Sequence, residues 1–168
     1  MQSCDELRTP LGLLYLIVSG SALAGLAWER PSLRVERAPE EMRGALEQYF
    51  EGALREFAFP ISVECGTEFE RRVWLELRAV PYGETRSYRW LAERVGSPRG
   101  ARAVGQALSR NPLPIVLPCH RIVEARGRIG GYSSGTDRKR RLLDLEYYCL
   151  RGARDKGTQA GSGEAPCY

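Results

Sequence analysis

The chain has 168 residues, is 43% hydrophobic and carries a formal net charge of +4, enough apolar material to give one ordinary domain or two small ones a real core. Its longest N-terminal apolar run, residues 11–18, is far shorter than the ~20 residues of a membrane helix and lacks the basic flank of a signal peptide, which excludes a membrane partner and points to a soluble protein of the cytoplasm, or of the nucleus in a eukaryotic cell. Five cysteines without a Cys-x-x-Cys pair, and a single histidine, exclude the usual zinc sets; no disulfide framework follows either, although one bridge such as Cys4 to Cys65 stays open.

From Thr9 onward the runs 11–18 and 22–28 read as two strands joined by a hairpin turn at Ser19-Gly20-Ser21. Pro39, Glu40 and Glu41 suit the first turn of a helix. Leu46, Tyr49, Phe50, Ala53, Leu54 and Phe57 then fall on one helical face, which predicts a helix ending at Phe59-Pro60. Ile61-Ser62-Val63-Glu64 is a short extended piece. No catalytic constellation stands out in this region, which reads as scaffold.

Thr67-Glu68-Phe69-Glu70 is a capping-box pattern, and Phe69, Val73, Leu77 and Val80 mark the buried face of a helix to about Ala79. Ser87 suits the cap of a helix with Tyr88, Leu91, Ala92 and Val95 inward; Gly96-Ser97-Pro98 breaks it, and a second helix over about 99–109 buries Ala101, Val104 and Leu108. The spacing is that of a helix-turn-helix. In the second helix Gly100, Ala101, Ala103, Gly105 and Ala107 are all small, which suits tight packing on a neighbouring helix. Gly105 costs ~1 kcal/mol relative to Ala inside a helix, so something requires close approach there. Charge is unevenly placed: glutamates crowd the segment before residue 60, whereas Arg86, Arg89, Arg94, Arg99, Arg102 and Arg110 mark the half suited to phosphate contacts.

The run Asn111-Pro112-Leu113-Pro114-Ile115-Val116-Leu117-Pro118-Cys119-His120-Arg121 places a cysteine after a proline-stiffened apolar segment and beside the chain's histidine. A thiolate is the nucleophilic form of cysteine, and an adjacent imidazole or cation is the usual way to lower the thiol pKa. Read alone, the Cys-His pair also fits a buried cysteine closing a strand. Beyond it, Gly127, Gly130, Gly131 and Gly135 indicate a tight loop, and residues 137–146 a charged helix with one apolar side.

Together, Asn-Pro-Leu-Pro-Ile and Pro-Cys-His-Arg, with Ser87-Tyr88, Ala101-Arg102-Ala103-Val104-Gly105 and Gly131-Tyr132-Ser133 in register, resemble the O6-alkylguanine-DNA alkyltransferase family of suicidal repair proteins. The resemblance covers residues 9–151. It implies an α+β fold: a small ribonuclease-H-like domain over 1–62, then a mostly helical winged-helix-like domain with the helix-turn-helix over 63–151. The remaining stretch, 152–168, is rich in Gly, Ala, Thr and Ser and reads as a disordered tail. The resemblance further implies Cys119 as acceptor of the alkyl group, activated through water by His120 and Glu146, with Tyr88 as proton donor to the leaving guanine. Tyr88, Arg102, Ala101, Gly105 and Asn111 match DNA-contacting or loop-tying positions: Arg102 fills the gap left by a flipped base, and Asn111 ties the helix-turn-helix to the active-site loop. Tyr132, Ser133 and Pro114 match the base pocket. Ser134 stands where many relatives carry a glycine or another small residue.

The activity so implied is that of a single-turnover methylated-DNA–protein-cysteine methyltransferase, a monomer acting on double-stranded DNA with O6-alkylguanine and using no cofactor or metal. The resemblance leaves a damage-binding relative without chemistry as the alternative, against which Cys119 argues. A cysteine hydrolase built on Cys119, His120 and Glu146 is disfavoured because no oxyanion motif is evident.

Overall fold

The computed structural model describes residues 1–155, and its N-terminal part is a four-stranded sheet in the order β3-β2-β1-β4. The strands β1 (Gln2–Thr9), β2 (Gly12–Ser19) and β3 (Ala22–Ala27) form an antiparallel meander, and the short β4 (Arg34–Val35) runs parallel to β1 at the edge. The sequence pattern foretells β2 and β3 with their turn at Gly20, but not β1 or β4. In β1 the buried positions are Cys4 and Leu7, three residues apart with Asp5 and Glu6 between them, so the period of two is broken. Pairing from Gln2 opposite Ser19 to Thr9 opposite Gly12 makes it a strand nonetheless.

Helix α1 (Glu40–Phe50) buries Met42, Leu46, Tyr49 and Phe50, with Glu40 and Glu41 placed favourably at the positive end of its dipole. It stops well short of the predicted Phe59-Pro60 boundary. Gly52, at φ 75°, ends it in a Schellman turn: its N–H donates to Tyr49 O at 3.0 Å and that of Ala53 to Gln48 O at 2.8 Å. Phe57 still reaches the core from the following loop, 5.5 Å between ring centroids from Tyr49. Ile61 then bridges Leu23 in parallel fashion at the free edge of β3.

Helix α2 (Glu68–Glu76) begins with the expected reciprocal cap, Glu70 N–H to Thr67 Oγ1 at 3.1 Å and Thr67 N–H to Glu70 Oε2 at 2.8 Å, and runs into a 3-10 turn over Leu77–Ala79. The helix-turn-helix is α3 (Tyr88–Arg94), capped by Ser87 Oγ, and α4 (Ala101–Ser109), which buries Val104, Ala107 and Leu108 while Ala101 is only half-buried. Trp74 of α2 donates its indole N–H to Ala107 O at 2.7 Å and so holds α4 in place. A two-residue parallel pairing, β5 (Arg86–Ser87) with β6 (Ile122–Val123), fastens the start of α3 to the chain just beyond Cys119.

Helix α5 (Thr136–Asp155) continues past the expected end of the folded part, so residues 152–155 are helical rather than tail. The rest of the expected disordered tail lies outside the described residues. The hydrophobic core is continuous from the sheet (Leu14, Leu16) through α1 (Leu46, Tyr49) to Trp74, Leu91, Val104, Leu117 and Leu142. Among the described residues no helix is long and apolar enough to cross a membrane, and Cys4 and Cys65 are both free, with Cys4 buried and Cys65 exposed.

Candidate active site and nucleic-acid face

Cys119 does not end a strand. The chain before it folds back on itself, and Cys119–Arg121 form one 3-10 turn, with Arg121 N–H donating to Pro118 O at 3.0 Å. Asn111 shapes this loop: its Nδ2 donates to Leu117 O at 2.8 Å and its Oδ1 accepts from Leu113 N–H at 3.0 Å. Between these anchors Ile115 is held at φ 78°, a conformation that costs a β-branched residue roughly 1–3 kcal/mol. The strain sits four residues from the nucleophile.

The turn sends His120 and Arg121 inward to Glu146 on α5. His120 Nε2 lies 2.7 Å from Glu146 Oε1, while Arg121 Nε donates to Oε2 at 2.9 Å and Arg121 Nη2 to Oε1 at 2.9 Å. Tyr49 Oη from α1 donates to Oε1 at 2.7 Å, and Gly83 N–H to Oε2 at 3.0 Å. Burial alone would raise the Glu146 carboxyl, but the charges and hydrogen bonds of His120 and Arg121 reverse this and hold it well below the usual carboxylate range. A carboxylate only accepts, so the His120 proton sits on Nε2 and the basic nitrogen is Nδ1, which is buried without a hydrogen-bond partner. Burial, only partly opposed by Glu146, keeps the imidazole below its ordinary pKa and hence neutral at neutral pH.

Cys119 is 4% exposed, and burial pushes its thiol up; the Asn111 amide, the Tyr132 hydroxyl and the Lys139 charge offset only part of this. The expectation of a thiol lowered by its neighbours is therefore reversed. His120 adds no positive charge because it is neutral, and desolvation outweighs the rest. Sequence reasoning left Tyr49 and Lys139 out of the site. Lys139 is wholly buried, donates to Gly131 O at 3.1 Å and is pulled down to about 8 by burial against the opposing charges of Cys119 and Glu124. Its signal was present in the sequence: Lys139, Leu142, Leu143 and Glu146 are spaced i, i+3, i+4 and i+7, the buried stripe of α5.

Cys119 opens onto a cavity of about 540 Å³ lined by Tyr88, Arg102, Gly105, Gln106, Leu108, Ser109, Gly131, Tyr132 and Ser133. The structure thus brings Tyr88, Arg102, Gly105, Tyr132 and Ser133 together around the sulfur. Ala101 lies on the same helix outside the lining, Asn111 acts on the loop, and Pro114 is buried and does not line the cavity. Burial raises the Tyr88 phenol, with the Glu124 and Cys119 charges acting the same way, so it stays protonated. A Cβ on Gly105 would meet only the Tyr88 ring, at 3.7 Å, an ordinary contact. Packing within the protein therefore does not demand glycine there.

The arginine-rich half is less basic than its sequence implies. Arg86, Arg89, Arg94 and Arg110 pair with Glu84, Glu93, Glu76 and Glu70, whereas Arg99 and Arg102, both exposed, have no acidic partner among the described residues. Local pairing leaves the free positive charge at the start of α4, beside the cavity.

A cysteine at the floor of a cavity, backed by a neutral histidine and flanked by a helix-turn-helix with two free guanidiniums, defines a covalent group-transfer site on a nucleic-acid-facing surface. Comparison with known proteins agrees with that class. The family described as 6-O-methylguanine DNA methyltransferase, DNA binding domain, matches residues 68–148. The chain is 47% identical over 157 residues to a protein of Mycobacterium leprae named methylated-DNA–protein-cysteine methyltransferase, covering 88% of this chain and 94% of that one. It is similar in structure to the O6-methylguanine methyltransferase of Mycobacterium tuberculosis, with TM-score 0.82 and 40% identity over 88% of this chain and 94% of that one. It also resembles the structure titled Mycobacterium tuberculosis OGT in complex with DNA, with TM-score 0.79 and 39% identity over the same shares. The chain belongs to the methylated-DNA–protein-cysteine methyltransferase family.

Proposed function

We propose that this protein repairs DNA by moving the alkyl group from O6 of guanine onto the sulfur of Cys119, once per molecule. The observation that carries the reading is the buried Cys119 sulfur in a cavity of about 540 Å³, a size suited to a small aromatic ligand, with Arg102 and Gly105 of α4 on its wall. The damaged nucleotide is turned out of the duplex through the minor groove, α4 lies along that groove, and Arg102 occupies the gap beside the orphaned base. Ala101 and Gly105 keep the helix surface low where the DNA backbone passes; Asn111 holds the loop that presents Cys119.

In the chemical step the S–C bond forms as the C–O6 bond breaks. The thiol proton passes through a water to His120 Nδ1, the nitrogen left basic by the Nε2 contact with Glu146. Because the thiol and imidazole are both neutral at rest, proton transfer accompanies attack rather than preceding it. The guanine leaves with a proton supplied by Tyr88, and Tyr132 and Ser133 border the base. The thioether has no leaving route, so the protein is consumed. No cofactor enters this scheme.

We read the N-terminal part, 1–62, as a ribonuclease-H-like scaffold domain and 63–151 as a winged-helix-like DNA-binding and transfer domain, working as a cytoplasmic monomer. The binding-only alternative lacks a reason for the buried thiol and its histidine. The test is intact-protein mass after incubation with excess duplex containing one O6-methylguanine, with Cys119→Ser as control. A gain of one methyl that stops at one per chain and is absent from the control supports the reading; unchanged mass with DNA bound overturns it.

A further inference from the structure

The wall of the base cavity formed by Ser133 is a thin partition. On its far side lies a second cleft of about 390 Å³, lined by Ala27, Trp28, Glu29, Ser133, Ser134 and Arg138, so Ser133 borders both spaces. The partition loop is bounded by Gly130 at φ 70° and Gly135 at φ 93°, positions that favour glycine and allow the backbone to swing. Its place is therefore set by what grips it. Lys139 Nζ holds Gly131 O from the cysteine side, at 3.1 Å. Arg138 holds the other end.

Arg138 makes a three-way join. Its guanidinium lies 4.5 Å from the centroid of the Trp28 ring at the end of β3, Nη1 donates to Ser134 O at 3.0 Å, and Nε reaches Leu11 O, in the β1–β2 turn, at 3.5 Å. The next turn of α5 adds Arg141 Nη2 to Pro10 O at 2.7 Å. The Trp28 indole N–H is buried without a hydrogen-bond partner, so the ring is held by packing and by the guanidinium above it. The partition is thus latched to the N-terminal sheet, which otherwise brings no side chain into the base cavity.

We propose that Arg138, stacked on Trp28, is a positioning residue that sets the size limit for the O6 substituent by fixing the Ser133-Ser134 partition between the two cavities. This rests on the reading of the Cys119 cavity as the O6-alkylguanine site. With the latch closed Ser133 is a fixed wall of the cavity and bounds the space beside the purine. With it open the partition retreats toward the second cleft, whose volume well exceeds the ~150 Å³ that suffices to hold a benzene ring. The chemical class favoured by the opening is a flat aromatic O6 substituent such as benzyl.

The experiment compares single-turnover rate constants for duplex O6-methylguanine and duplex O6-benzylguanine, each at saturating DNA, in the wild type, Arg138→Ala, Arg138→Lys and Trp28→Leu, with DNA affinity and thermal midpoint measured alongside. Arg138→Ala and Trp28→Leu are expected to raise the benzyl-to-methyl ratio by about tenfold or more, the discrimination a hydrophobic pocket wall typically provides. Arg138→Lys, which keeps a cation over Trp28 but not the fork that also reaches Ser134 and Leu11, is expected to fall between them and the wild type. DNA affinity is expected to stay within about twofold in all variants that melt cooperatively. A ratio unchanged in both Arg138→Ala and Trp28→Leu, with the two rate constants falling together or not at all, overturns the latch. Should one variant not fold, the other decides. A wild type that transfers neither group overturns the proposed function instead.

Discussion

Glu146 Oε1 receives hydrogen bonds from His120, Arg121 and Tyr49 at once, more donors than its two lone pairs readily satisfy, so Tyr49 competes with His120 for the same oxygen. Tyr49→Phe removes one buried hydroxyl and leaves the ring packing in place. More of the carboxylate charge then falls on His120, whose pKa rises. Because the base must be unprotonated, the acid limb of the transfer rate should move to higher pH by about half to one unit, the equivalent of one hydrogen bond; single-turnover rates from pH 5 to 8 measure it, and an unmoved limb refutes the coupling. Gly105 gives a prediction of opposite kind. Its Cβ space is open, so Gly105→Ala should raise folding stability by about 0.5–1 kcal/mol while weakening binding of damaged DNA, a combination that calorimetry and a DNA titration check together.

Among the elements, α1 is shorter than the sequence implies, and the reason is local. Leu54 and Phe57 continue the apolar stripe, yet Gly52 takes the left-handed conformation that closes the helix, and Phe57 reaches the core from a loop. A Cβ at Gly52 would also run into Cys149 Sγ on α5. Gly52→Ala should therefore cost more than the ~1–2 kcal/mol of the backbone conformation alone, a fall of several degrees in melting temperature; an unchanged midpoint would contradict the packing of α1 on α5. The helix-turn-helix and the Thr67 capping box were legible because they depend on neighbours within four residues. The β5–β6 pair was not, since each strand is two residues long and exists only through its partner.

At the scale of the molecule, titration and salt report on the same buried network. Glu146 has a folded pKa below its ordinary 4.5, so its contribution to stability is present above pH 4.5 and is lost as the pH falls through and below that value. His120 has a folded pKa below 6.5, so the unfolded chain binds more protons under pH 6.5 and stability falls there as well. Lys139, down at about 8 from 10.5, acts in the same direction at the alkaline end: stability rises with pH between about 8 and 10.5 as the unfolded chain's extra proton is lost. Chemical denaturation across pH should show both slopes, with Glu146→Gln flattening the limb below pH 4.5 and Lys139→Met the alkaline one. For DNA, the pairing pattern predicts that Arg99→Ala, which removes an exposed and unpaired guanidinium, lowers the slope of log affinity against log salt by about one, whereas Arg94→Ala, whose guanidinium is tied to Glu76, changes it little.

By itself the sequence determined the Pro-Cys-His-Arg motif, the order of helices, the small-faced α4 and the family, because each of these is written in short spacings that local propensity and motif register read directly. Tertiary structure alone decided that positions 49, 83 and 121 join His120 on Glu146, that Cys119 and His120 rest uncharged, that Lys139 is buried, and that the sheet grips the partition loop through Arg138. Desolvation and hydrogen bonding between distant residues have no signature in spacing. They arise only when the folded chain removes those groups from water together.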